Sequence, residues 1–403
     1  MVFCTSEIGA LPFKIAKTLN DYGVQTYYIS LSGKQKGHDS TRFHFGNGFE
    51  DWDLSHIFSD VSCFTHKLDQ VFYLAGRIIS RLRRIKEQYQ ITHCFATGIK
   101  SYLLKQAGID YKYWSYGSDL DRHCFHPVFP YSYPFWIKGL LYIPFRLVIR
   151  PNARNSISSS ESIQISPYQV RNLRKVCANK NLFFLPHLIE VRDYDTLVLE
   201  KAKSREKVCK EIGAKHFFFS SARHEWAGSF KDEPDLKGND ILLKAFQVYL
   251  SKAGAYDTKL ILVEKGTDMN ASKSLAKKLK IDKNIFWVKE MRRDEIQKFY
   301  QGANMCLGQF GTPVITYAAL EPLANGNICA SFYGNNSNKV PFYDTMPPIL
   351  NSRNPDEIAK FMHESTDNKS FYENLCHKSW KWVRVHCSEE RFVRSFLKVF
   401  EIN

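Results

Sequence analysis

Residues 215–222 form a short apolar and aromatic run, Lys215-His216-Phe217-Phe218-Phe219-Ser220-Ser221-Ala222, that stops at Arg223, and segment 238–250 then brings its apolar residues back at helical spacing. That succession constrains the fold more than any other part of the chain. An unbroken apolar run reads as a parallel strand buried on both faces. Ile241, Leu242, Ala245, Phe246 and Tyr249 describe one face of a helix, with Lys237 just before its N-terminus. The unit recurs: Met305-Cys306-Leu307 is strand-like, 308–313 is a turn-rich loop, and 317–324 is helix-like, closing at Asn325-Gly326. The opening of the chain repeats it, with a strand leading to Gly9, a helix marked by Ile15, Ala16 and Leu19, and a strand over 25–31. Strands alternating with helices predict an α/β chain on parallel sheets, whose ligands gather at the carboxyl ends of the strands.

Three charged residues fall where that rule puts a ligand. Arg223 closes a strand, and Lys237 stands at the head of a helix, where backbone N–H groups and an ammonium converge on one anion. Two cations suit a diphosphate. Glu321, in the first turns of the 317–324 helix, suits a ribose diol, accepting a charge-assisted hydrogen bond from each hydroxyl. Each residue also has a plainer explanation, the two cations as ordinary surface charges and Glu321 as an acid favoured by the helix dipole. Their joint placement points to a nucleoside-diphosphate grip.

From about residue 215 to 332 the chain resembles the C-terminal domain of retaining nucleotide-sugar glycosyltransferases of the family 4 type, which have the GT-B fold of two Rossmann-like domains facing across a cleft. The resemblance rests on Arg223, on Lys237-Gly238-Asn239-Asp240 and on Ala319-Leu320-Glu321-Pro322-Leu323-Ala324-Asn325-Gly326. It rests also on the pieces between, since 260–266 and 284–288 resemble the family's successive strands and 294–304 the helix before its donor loop. The resemblance implies that Arg223 and Lys237 hold the donor diphosphate and stabilise charge on it as it leaves, and that Glu321 holds the ribose. It implies too that Gly9, in the first loop, lets the backbone approach donor or acceptor, although a glycine in a turn needs no ligand. Two departures stand out. The family carries a glutamate eight positions before the ribose-binding one, where this chain has Pro313. Gln309 and the backbone of Phe310-Gly311-Thr312 are the nearest replacements as donor contacts, with a purely structural turn as the other reading of Gln309. The interval from Arg223 to Lys237 is also longer than usual. Its insertion, 227–236, is polar, with Gly228, Pro234 and three acids, and reads as a surface loop.

A chain of 403 residues exceeds what one core organises, and 44% hydrophobic content lets two domains bury cores of their own. The expected division is an acceptor domain over 1–187, a donor domain over 188–377, and a last helix, read as 371–400, whose end at about 378–403 crosses back onto the first domain as in the family. The ten cysteines show no C-x-x-C pair, and no histidines cluster at zinc spacing, so reduced packing thiols and no metal or other cofactor are expected. The opening lacks the basic and apolar regions of a secretory signal, which predicts a cytoplasmic protein.

The formal charge of +15 asks for an anionic partner. No nucleic-acid module is recognisable, so nucleic acid is not expected. A helix predicted over 68–89 is basic and amphipathic, with Arg77, Arg81, Arg83, Arg84 and Lys86 beside Ile78, Ile79, Leu82 and Ile85. It reads either as an interfacial helix on an anionic membrane or as a helix whose apolar face is core. The aromatic stretch 127–150 is too interrupted to span a bilayer, and reads as interfacial or as buried helices. Peripheral attachment would suit a lipid-linked acceptor.

The N-terminal half is expected to hold the acceptor, on strands at 91–98 and 111–121, with 155–166 read as a Ser-rich strand region. Gly117-Ser118-Asp119-Leu120 is similar to a motif of bacterial surface-polysaccharide glycosyltransferases. Asp119 there aligns the acceptor, supplies the base of an inverting reaction, or merely caps a turn. The resulting expectation is transfer from a nucleotide sugar to a glycan or lipid-linked acceptor, with retention. A catalytically silent GT-B protein that binds nucleotide or glycan as a partner subunit is the alternative, and Pro313 is its best support.

Overall fold

The computed structural model describes residues 2–5, 11–30, 75–115, 120, 124–125, 143–166, 169–227, 236–253, 257–334 and 343–402. They divide into two compact units, Met1–Leu185 with Val393–Asn403, and Pro186–Phe392.

The first unit is a parallel sheet of β1 (Val2–Thr5), β2 (Tyr27–Ser30), β3 (Cys94–Thr97), β4 (Lys112–Trp114), β5 (Ser162–Gln164) and β6 (Asn181–Phe183), in the order β2-β1-β3-β4-β5-β6. Its helices are α1 (Leu11–Asp21), α2 (Ala75–Gln88), α3 (Tyr102–Gln106), α4 (Ile143–Ser158) and α5 (Val170–Val176). In α1, Phe13, Ile15, Ala16 and Leu19 are fully buried, the face marked by the sequence.

The structure decides one open reading of the sequence and changes another. The apolar face of α2 is core: Ile78, Leu82 and Ile85 are buried among Ala96, Leu103, Leu104 and Tyr113, so it is closed to a bilayer. Two of its cations are committed as well. Arg83 donates to the carbonyl of Gln106 at 3.2 Å and Lys86 to that of Gly108 at 2.6 Å, satisfying carbonyls that the end of α3 leaves without helical partners. The Ser-rich stretch opens as helix rather than strand. Asn155 to Ser158 form the last turn of α4, and only Ser162–Gln164 pair as a strand. Ser158 Oγ donates to Arg154 O one turn back at 2.9 Å, and Ser156 Oγ accepts from Tyr102 N at the start of α3 at 3.0 Å. Of stretch 127–150, residues 143–150 open α4, while 127–142 lie outside the described residues, as do 68–74. Among the described residues no helix is long and apolar enough to cross a membrane.

The second unit is a parallel sheet of β7 (His216–Ser220), β8 (Thr258–Val263), β9 (Ile285–Val288), β10 (Met305–Leu307), β11 (Cys329–Ser331) and β12 (Leu350–Asn351). Its order, β12-β11-β10-β7-β8-β9, is the 3-2-1-4-5-6 arrangement of the Rossmann fold. The helices are α6 (Tyr194–Ile212), α7 (Asn239–Ala253), α8 (Met269–Lys278), α9 (Arg293–Gly302), α10 (Tyr317–Ala324), α11 (Pro355–Asp367), α12 (Lys369–His386) and only the first turn of α13 (Glu389–Phe400). The three phenylalanines of β7 explain why both faces are covered. Phe217 and Phe219 pack with Phe299, Tyr300 and Leu320 of α9 and α10, while Phe218 points to the opposite layer with Leu242, Phe246 and Met362 of α7 and α11.

The helix predicted over 371–400 is two helices. The chain breaks at Cys387-Ser388, and Ser388 Oγ accepts from the backbone of Arg391 at 3.3 Å to start α13 over the acidic pair Glu389-Glu390. That Ser-Glu-Glu signal was present in the sequence. From Val393 onward the chain belongs to the first unit, where Phe396 and Phe400 lie against Phe95 with ring centroids 5.6 and 5.7 Å away.

Candidate functional site

In the second sheet the chain runs outward from β7 through β8 and β9 on one side and resumes at β10 on the other. This reversal puts the loops after β7 and β10 side by side at the carboxyl edge, where open α/β sheets bind ligands. Arg223 lies three residues beyond β7, and 308–312 follow β10 directly.

Those loops are sewn together by Leu236-Lys237-Gly238. Lys237 N donates to Glu225 O at 2.7 Å and Lys237 O accepts from Phe310 N at 2.9 Å, so its main chain is fixed on both sides. Leu236 O accepts from Thr312 N at 3.0 Å and from Thr312 Oγ1 at 3.2 Å. Gly238, the residue before α7, has φ of +69°, a conformation in which a side chain is strained.

The predicted site residues divide by surroundings. Arg223 is about half exposed, its guanidinium 3.3 Å from Glu225 Oε1. Gln309 is buried: its side-chain amide donates to Thr312 O at 3.2 Å, and its main-chain carbonyl accepts from Phe332 N at 2.9 Å and Ser331 Oγ at 2.8 Å. That side-chain amide shapes its own turn, and Gly311 and Thr312 lie in the strip stitched to Leu236. Gly9 and Asp119 lie outside the described residues, as do 228–235 of the insertion. Among the described residues no three His, Cys, Asp or Glu side chains group as metal ligands.

The Arg223 loop is anchored by groups the sequence did not single out. His224 N donates to Lys265 O at 2.7 Å and His224 O accepts from Asp268 N at 2.9 Å. Asp268 Oδ2 accepts from the backbone of Trp226 and Ala227 at 2.6 and 2.9 Å. The His224 ring is fully buried, and burial lowers its pKa to about 4, so it is neutral. Ser272 Oγ accepts from Trp226 Nε1 at 2.7 Å and lies 2.8 Å from His224 Nδ1.

Glu321 is the fifth residue of α10, beyond the first turn, so the helix dipole is not what holds it. Tyr300 Oη stands 3.0 Å from Glu321 Oε2 and 2.9 Å from Ser221 Oγ. Burial, reinforced by the Glu321 charge, keeps the Tyr300 phenol protonated far above its ordinary range. A phenol has one proton. Donated to the carboxylate, it leaves the oxygen to accept from Ser221. Since Ser221 is two residues before Arg223, the cationic loop and the carboxylate helix are joined through one tyrosine.

No family model matches the chain, and no curated protein does. Solved structures match it in fold. A glycosyltransferase from Rickettsia africae is 13% identical with a TM-score of 0.62, over 99% of this chain and 97% of its own. The HepE protein of Anabaena, solved with UDP-glucose, is 9% identical with a TM-score of 0.65, over 99% of each. Sucrose-phosphate synthase from Thermosynechococcus elongatus is 10% identical with a TM-score of 0.63, over 99% and 98%. With two parallel sheets, the second in Rossmann order, the chain has the GT-B fold of two Rossmann-like domains.

Proposed function

We propose that the chain is a glycosyltransferase that moves a sugar from a nucleoside-diphosphate sugar to a glycan or lipid-linked acceptor, with retention, in the assembly of cell-surface polysaccharide or glycolipid. The observation that carries this reading is the gathering of Arg223, Lys237 and Glu321 around the β7/β10 switch point, through backbone bonds on one side and Tyr300 on the other. Two cations and a carboxylate so placed suit a diphosphate and a ribose. A fold shared with a protein solved with UDP-glucose supports the same ligand class.

In this reaction the acceptor oxygen bonds to the anomeric carbon on the face from which the diphosphate oxygen departs. The acceptor proton passes to that departing oxygen. Negative charge grows on the diphosphate, and Arg223 and Lys237 stabilise it without need of a metal. Lys237 is suited to this because its main chain is already fixed and need not reorganise. The acceptor falls to the first unit. Asp119 is its candidate ligand, and would be the base if the reaction inverted. With the apolar face of α2 in the core, attachment to an anionic membrane surface would use exposed cations such as Arg84 rather than insertion.

The test is a thermal-shift series of the purified protein with UDP, GDP, dTDP and CMP, beside Glu321→Ala and Arg223→Ala. A shift with one diphosphate that both variants lose supports the donor site and names its nucleotide. Absence of any shift would sink it.

A further inference from the structure

We propose that Tyr300 is a positioning residue that sets the ribose specificity of this site. It holds the Glu321 carboxylate toward the ribose hydroxyls, so that ribonucleoside diphosphates are selected over their 2′-deoxy counterparts. The inference rests on the donor-site reading and adds a residue to it.

A glutamate side chain has three rotatable bonds, and a hydrogen bond to its carboxylate fixes the direction of that carboxylate. Tyr300 does so from a rigid base. Its ring packs edge-on against Phe219 of β7 at 5.4 Å, and the residue is 3% exposed. Its carbonyl accepts from Asn327 Nδ2 at 2.6 Å, and the same amide donates to Ala303 O at 2.9 Å. Asn327 follows α10 by three residues, so its side chain ties the end of α9 to the segment just after the Glu321 helix, in addition to the phenol contact. On its other side the phenol meets Ser221 Oγ at 2.9 Å, at the carboxyl end of β7.

The phenol proton occupies one of the roughly four acceptor positions of a carboxylate and fixes the plane of the others. A site built to receive a hydroxyl rejects the analogue that lacks it, because its own polar group is left unpaired. If Tyr300 orients that acceptor, removing its hydroxyl while keeping its ring must erode this discrimination and leave the phosphate contacts alone.

The experiment is calorimetric titration of the full chain with UDP and 2′-deoxy-UDP, and with GDP and 2′-deoxy-GDP, for wild type, Glu321→Ala, Tyr300→Phe and Tyr300→Phe/Glu321→Ala. Wild type is expected to prefer the ribonucleotide by roughly ten- to a hundred-fold, the range of a hydrogen bond to a charged group. Glu321→Ala should bring the ratio near one. Tyr300→Phe should lower it several-fold at unchanged affinity for the deoxynucleotide, and should add nothing in the Glu321→Ala background. If Tyr300→Phe keeps the wild-type ratio while Glu321→Ala abolishes it, the positioning role is overturned and the donor site stands. If wild type binds the two members of a pair equally, the ribose selection is overturned and the donor site stands; if it binds none of the four, the two fall together. Should Tyr300→Phe fail to fold, Ser221→Ala replaces it, since it removes the hydroxyl behind the phenol. A several-fold fall in the ratio then supports the role, and an unchanged ratio overturns it.

Discussion

Gly238 and Gly311 meet back to back: a Cβ on Gly238 would lie 2.6 Å from Gly311 N, and one on Gly311 would lie 2.1 Å from the Leu236 carbonyl oxygen. Neither neighbour is a flexible side chain that could swing away. Gly238→Ala and Gly311→Ala are each expected to destabilise the second unit by about 1–3 kcal/mol and to weaken diphosphate binding, because the strip holding Lys237 must part from the β10 loop. Thermal denaturation with a nucleotide titration of each variant checks this.

Asp268 holds the Arg223 loop by accepting two backbone N–H groups on one oxygen. Asp268→Ala should cost about 1–3 kcal/mol and loosen nucleotide binding, although the residue is not expected to touch the ligand. Asp268→Asn keeps one acceptor oxygen and should recover part of the loss. Urea unfolding of the three proteins gives the order, and equal stability of Ala and wild type would contradict it.

His224 makes stability depend on pH with a definite sign. Its pKa falls from 6.5 unfolded to about 4 folded, so below pH 6.5 the unfolded chain binds the extra proton and folding weakens as pH drops. The loss should accumulate between pH 6.5 and 4, level off below that, and total about 3 kcal/mol. His224→Gln removes this component, so the difference in unfolding free energy between wild type and variant should slope across that window and be flat above it.

In the first unit, Phe95 is fully buried with Phe396 and Phe400 of α13 against it, and those two rings stack at 4.5 Å. Phe396→Ala should cost about 3–5 kcal/mol. Hydrogen exchange should report faster opening of β3 with little change at β7.

Strands and helices were legible wherever one period ran uninterrupted. The phenylalanines of β7, the spacing of α7 and the Asn325-Gly326 stop of α10 all sit where the sequence put them. The misreadings came where local chemistry was ambiguous. Serines at the end of α4 resemble strand or loop until their carbonyl partners are known, and apolar periodicity on both sides of Cys387-Ser388 hid a helix break. Charge at the site was legible because Arg223 and Lys237 sit at element ends and Glu321 lies in the short helix that follows the β10 loop. Its supports were not. Tyr300 reaches Glu321 across β10, Asp268 reaches Trp226 across the sheet edge, and such pairs have no fixed spacing in the chain. The basic face of α2 advertised a membrane and turned out in part to cap a neighbouring helix, because charge pattern does not reveal which carbonyls lie within reach.

The return of α13 to the first unit has a consequence for biogenesis. Phe95 enters the growing chain early, and its aromatic lid only after the whole second unit has been made, on the order of tens of seconds later at ordinary elongation rates. During that interval the ring of Phe95 has Trp114 and Phe183 to pack with but lacks both rings of α13. The contiguous second unit can close before the first is sealed, which makes the first the natural client of any chaperone that meets this protein at the ribosome.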